Sequence, residues 1–370
     1  MAQEVPPAET MLGAAPAPAP AQAERCGEEA LAAFRARRKK ERETEPEESR
    51  TDVNAYEAHL YRVFWNNMFA GECGSYEDTT SIPPMCFTGG SRSDFVHERD
   101  TMQIFSIKVE AIRGGLQWPL NVYGMVAARD VVDHNRNIIF HRERDNCQRI
   151  TEEDPYLALT GPTRAILLSV DPTYVEVDLK VKGALKLEDK HLSSLALAYR
   201  NDGPSRSYMM HRNNTTSKLS KLELAVAHIM DSVEATIRVE VINGDWPRGF
   251  RGIFTANTAS MDDMKATLLA FGDGRLPMDG RSKVVKLSRR VVSVELRRPE
   301  MEKGKKPKLK ISAQALRINK ENDMWRHGLV FTPEQAGKSR GTLKVGSCEM
   351  EVTVAWSLLS TFKCSYDRRG

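Results

Sequence analysis

From residue 101 onward, apolar and polar side chains take turns along the chain. The clearest stretch is 174–182, where Val175, Val177, Leu179 and Val181 alternate with Glu176, Asp178, Lys180 and Lys182. A period of two predicts a strand with one face in a core and the other in water. The same alternation runs through Phe105, Ile107 and Val109; through Val233, Ala235, Ile237, Val239 and Val241; through Val292, Val294 and Leu296; and through Met350, Val352, Val354 and Trp356. Fainter strands are predicted at 122–128, 137–140, 164–168, 195–199, 221–229, 252–256, 265–269 and 308–315. Turn residues separate them, among them Asn243-Gly244-Asp245 and Gly272-Asp273-Gly274. Many short strands with no long helix between them point to an all-β fold, an antiparallel sandwich or barrel-like core of about a dozen strands.

One segment keeps a different period. Tyr56, Leu60, Phe64 and Met68 recur every fourth residue. They predict a helix that lays this face on the body, broadened by Tyr61 and Trp65 and stopped by Gly71. Before it, alternating Ala and Pro at 14–20 favours extended chain, and 28–50 is highly charged, with R-A-R-R-K-K at 35–40 followed by an acidic run. Three regions are therefore expected: a disordered Pro/Ala-rich and charged tail over 1–50, a helical or irregular strap over 51–100, and an all-β domain over 101–370.

Composition adds limits. The chain has 370 residues, 41% apolar and 28% charged, enough to bury a sizeable core. No apolar run approaches the roughly 18 residues of a membrane span, and residues 1–22 lack a secretory apolar core. The expected setting is the reducing cytoplasm, with 35–40 as a candidate nuclear signal. The six cysteines then read as free thiols; none forms a C-x-x-C pair, so no metal site is expected. Phosphate-loop, dinucleotide, nucleophile-elbow and zinc-protease signatures are all missing, and no cofactor is implied.

Two polar constellations stand out. Residues 129–146 place Asp130, Asp133, His134, Arg136, His141, Arg142, Arg144 and Asp145 around a short apolar strand. His134, Arg136, His141 and Arg144 are the candidate ligand-binding set, converging on an anion or on acid–base work. The alternative is a hairpin turn whose side chains cap backbone groups and face water. Residues 281–310 carry twelve Lys/Arg and three Glu, a net +9 against +4 for the whole chain. They read as a basic hairpin, whose Lys303, Lys305, Lys306 and Lys308 are candidates for polyanion contact or for protecting an exposed sheet edge.

Several phrases resemble a known family. They include G-G-L-Q-W-P-L at 114–120, D-H-N-R-N-I-I-F at 133–140, R-D-N-C-Q at 144–148, T-E-E-D-P-Y-L-A-L-T-G-P-T-R-A at 151–165, W-P-R-G-F-R-G at 246–252 and V-G-S-C-E-M-E-V-T-V-A-W-S-L-L at 345–359. Together, over roughly 101–359, they resemble the cereal and grass domain-of-unknown-function family numbered 6598. That resemblance brings no catalytic or ligand residues. It implies a plant setting beside ribosome-inactivating N-glycosidase domains. Those enzymes carry E-A-x-R on a helix; the nearest string here, V-E-A-T-I-R-V at 233–239, has a strand's period, with Glu234 and Arg238 expected on one solvent face. The expected function is a non-enzymatic β-rich interaction or structural module, in stress or defence. The alternatives are a polyanion- or RNA-binding accessory protein and an enzyme using 133–145. A protein partner is the first expectation, and a membrane is not.

Overall fold

The computed structural model describes residues 52–91, 93–204, 206–211, 215–261, 263–280, 282–296, 307–318 and 320–363. The expected tail over 1–50 lies outside them. The described residues form three antiparallel sheets. The central sheet holds β1 (Arg99–Ile112), β5 (Ile166–Leu167), β8 (Tyr208–Met210), β9 (Ser220–Asn243), β12 (Val291–Glu295), β15 (Ala336–Val345) and β16 (Cys348–Ser357). A second sheet is ordered β3 (Asn137–Arg142), β2 (Leu120–Arg129), β6 (Thr173–Val181), β7 (Lys190–Tyr199), with β4 (Gln148–Ile150) also on β2. The third is ordered β11 (Ala266–Phe271), β10 (Phe250–Thr258), β13 (Leu309–Arg317), β14 (Lys320–Phe331).

Strand β9 organises the molecule. The sequence shows two alternating runs, at 221–229 and 233–241; the structure joins them into one strand of 24 residues. Its first half pairs with β1, and its second half with β12 and β16. The break in alternation falls at Asp231, whose φ of 40° is unfavourable for most side chains but tolerated by Asp. Its amide donates to Asp100 Oδ1 at 3.0 Å, and its carbonyl accepts from Leu296 N at 2.8 Å. The second half faces one core; the first half is buried on both faces, with Ala227 and Ile229 in that same core and Leu222 and Val226 in the other. One core gathers Val233, Ile237, Phe254, Leu268, Ile311 and Trp356; the other gathers Ile104, Val122, Phe140, Val177, Leu195 and Val226. The fold is therefore two sheet-on-sheet layers sharing a central sheet.

Three expectations need correction. The helix α1 (Val53–Met68) forms, capped by Asp52, whose Oδ1 accepts from Asn54 N at 3.0 Å and Ala55 N at 3.3 Å. It docks on the Tyr61–Trp65 edge of the expected face and not on its centre. Leu60, Phe64 and Met68 are 39%, 47% and 61% exposed, while Tyr61 and Trp65 are buried, a rotation of roughly 100°. Tyr61 stacks on Tyr174 with ring centres 3.9 Å apart, and Trp65 donates to the His134 carbonyl at 2.8 Å. Flat rings with a polar handle gain more on a sheet surface than Leu or Met does.

Polar positions on two alternating strands are also buried rather than in water: Glu176 is 6% and Glu234 2% exposed. Finally, 281–310 is not a hairpin. Strand β12 is wholly buried in the central sheet, while β13 lies inside the third sheet between β10 and β14. The two strands lie in different sheets and do not pair with each other. Among the described residues, no helix is long and apolar enough to cross a membrane.

A candidate ligand-binding cleft

The four candidates at 134–144 do not converge. Strand β3 separates them into two pairs, roughly 20 Å apart along its six residues. At one end the His134 ring stacks on Phe69 at 3.8 Å, and its backbone is left-handed with φ of 54°. Burial lowers the His134 pKa, outweighing the opposite pull of Asp130 and Asp133, so the ring is neutral near pH 7. Arg136 grips both oxygens of Glu176, at 3.1 and 2.6 Å. At the other end Arg144 forks onto Asp189 at 2.7 and 3.1 Å, and Tyr123 donates to the same carboxylate at 2.7 Å. His141 is exposed on β3.

Behind His134 lies a buried network whose charges balance. Arg164 binds Asp130 at 2.6 and 2.8 Å and Asp133 at 3.1 Å; Glu176 binds Arg129 at 2.9 Å as well as Arg136. Three carboxylates face three guanidiniums, as interior charge requires. Thr80 donates to Asp133 at 2.5 Å, and Glu234 accepts from the Met85 and Ala165 amides at 2.6 and 2.8 Å. The network fastens the segment leading into β1 onto the sheets. These groups are engaged with one another. Of the hairpin candidates, Lys303, Lys305 and Lys306 lie outside the described residues, and Lys308 is exposed just before β13.

A concave feature lies elsewhere, marked by no motif in the sequence. A cleft of about 440 Å³ opens between β1, the 154–159 segment and β11, within the size range of small-ligand sites. It starts from a β-bulge. The β1–β9 register slips between Ile104 and Ser106, leaving Phe105 as the extra residue. A bulge re-aims a side chain, and Phe105 joins the core opposite to that of Ile104 and Ile107. The facing wall is held to β1 by Leu157 N to Ile107 O at 2.9 Å and Val109 N to Pro155 O at 3.0 Å. Gln148 clamps the same wall, donating to Tyr156 O and accepting from Ala158 N, both at 2.9 Å. Phe105, Tyr156 and Leu269 give the cleft its apolar surface; Asp154 and Lys265 bring opposite charges to it. The lining spans residues 105–288, so no local motif could announce it. Among the described residues, no group of three or more His, Cys, Asp or Glu converges to hold a metal ion.

Comparison with curated proteins finds no match. Among solved structures, the C2A and C2B domains of extended-synaptotagmin 2 are similar at 8% identity and a TM-score of 0.23, over 73% of this chain and 96% of that one. Human GIVD cytosolic phospholipase A2, in complex with methyl gamma-linolenyl fluorophosphonate, is similar at 7% identity and a TM-score of 0.21, over 69% of this chain and 32% of that one. Likenesses this distant do not bear on what the chain binds. The family model described as a domain of unknown function, DUF6598, matches residues 101–354, more than two thirds of the chain, and the protein belongs to that family.

Proposed function

We propose that the chain is a non-catalytic binding module, in the plant setting that its family resemblance suggests, and that the β1–β11 cleft is where it takes its ligand. One observation carries the reading: the cleft is preformed, with a bulge-directed aromatic floor and a wall fixed by backbone bonds and the Gln148 clamp. Rigid walls lower the ordering cost of binding. The acid–base groups of 129–146 meanwhile serve one another. Asp130, Asp133, Arg136 and Arg144 are all engaged in ion pairs, which favours a structural role for that stretch.

Ala270 lies in the cleft and is exposed, so Ala270→Trp fills the space without opening a core. The uncharged dye N-phenyl-1-naphthylamine should fluoresce with the native protein and lose at least about tenfold in affinity with the variant, at unchanged melting temperature. Equal dye binding by both proteins would refute the cleft as the site.

A further inference from the structure

The hairpin tip between β6 and β7 holds two leucines out in water. Leu187 is 99% exposed, the most of any large apolar side chain among the described residues, and Leu185 is 64% exposed. The turn that carries them is fixed. Leu185 N donates to Glu188 Oε2 and Glu188 N to Leu185 O, both at 3.0 Å, and Asp189 N donates to Lys186 O at 3.3 Å. At the base, the Gly183 amide donates to Asp189 Oδ1 at 2.8 Å, and the Arg144 fork ties Asp189 to the segment after β3. Exposed apolar side chains scattered singly need no explanation. Here two of them share one built turn, which polar residues would have closed as well.

Cations rim the tip. Lys182 pairs with Asp145 at 3.5 Å, Asp189 is answered by Arg144, and the Glu188 carboxylate closes the turn. Lys186 and Lys190 are exposed beside the leucines. Arg113 is exposed at the same end of this layer: its amide donates to Leu219 O at 2.8 Å, and the adjoining Ser220 hydroxyl donates to Leu192 O, near the start of β7, at 2.6 Å. Arg113, Lys186 and Lys190 thus stand against Glu188, a modest excess of positive charge around an apolar point.

We propose that this tip docks the protein on an anionic lipid surface, independently of the cleft. Leu185 and Leu187 enter the boundary between headgroups and acyl chains, and Lys186, Lys190 and Arg113 meet the headgroup anions. Three observations favour a bilayer over a protein partner. The leucines project, and a soft interface receives a projecting tip where a protein would need a matching pocket. The amides of Gly183, Leu185, Glu188 and Asp189 are already bonded within the tip, as entry into a water-poor layer requires. Two leucines alone, or three cations alone, would hold weakly; together they supply the paired apolar and electrostatic signals of stable peripheral binding. Contact of this kind spans nothing, and it is a partner not expected from the sequence.

Sedimentation of the full chain with vesicles tests this. The native protein should bind equimolar phosphatidylcholine–phosphatidylserine vesicles and not phosphatidylcholine alone, and added salt should weaken the binding. Leu185→Ser combined with Leu187→Ser should lower the partition at least about tenfold. Lys186→Gln and Lys190→Gln should each lower it about fivefold. All four side chains are exposed, so the melting temperature should not change. Leu187→Trp should raise the partition, since Trp favours the interface. Binding to neither vesicle, the result expected if a protein takes the tip, would overturn the proposal. Binding that the double serine variant leaves unchanged would overturn it too.

Discussion

Glu176 answers two guanidiniums and Arg164 answers two carboxylates, so the network around β2 and β6 is only as stable as its protonation state. Burial by itself would raise the Asp130 pKa, but Arg164 and the Leu167 and Val132 amides hold it below the usual carboxylate value. A carboxyl depressed in the folded state contributes stability above its unfolded pKa of about 3.9, and that contribution is lost as pH falls through the folded value. Glu234 has the opposite sign: burial raises its pKa, so its ionised form costs stability as pH rises through that value. Asp130→Asn should therefore lose about 3–5 kcal/mol at pH 7 by leaving Arg164 short of charge, and the deficit should narrow in acid. Denaturant midpoints measured from pH 7 to 3 decide it; a constant deficit would contradict the pairing. None of this was legible from alternation, which records that Glu176 and Glu234 are polar but not that amides and arginines wait for them. Asp130 and Asp133 did stand out as polar, but their partner Arg164 is more than thirty residues away.

Elements were more legible than their faces. The strands with strict alternation all form, because burial on one side selects β-branched side chains every second residue. Strands β14 and β15 escaped notice. Their sequences, K-E-N-D-M-W-R-H-G-L-V-F and A-G-K-S-R-G-T-L-K-V, belong to sheet edges where little is buried. The helix was foreseen and its orientation was not, since the four-residue apolar repeat reports amphipathicity without naming the partner. The rotated docking has a direct consequence for substitutions. Trp65→Ala should cost about 3–5 kcal/mol, and Leu60→Ser should stay within about 0.5 kcal/mol. Thermal or urea unfolding of the two variants measures this, and similar losses would return the helix to the face expected from its sequence.

At the scale of the molecule, an antiparallel all-β architecture, sandwich or barrel-like, was legible. The pairing was not, because partners such as Arg99 and Ser232 stand more than a hundred residues apart. The cleft belongs to this scale too: three distant segments meet there, and only a folded chain shows it.

Strand β9 also bears on how the molecule comes apart. Its second half belongs to one core and its first half to both, with no loop between them. Opening either layer would strip one side of a continuous ladder, so neither layer can breathe alone. Native-state hydrogen exchange should then find amides at Val226 and Val239 opening with one common free energy, equal to that of global unfolding. Two values differing by more than about 2 kcal/mol would mean separate units. In evolutionary terms, a strand shared in this way makes the pair of layers inseparable: neither could be lost or exchanged as a module without the other.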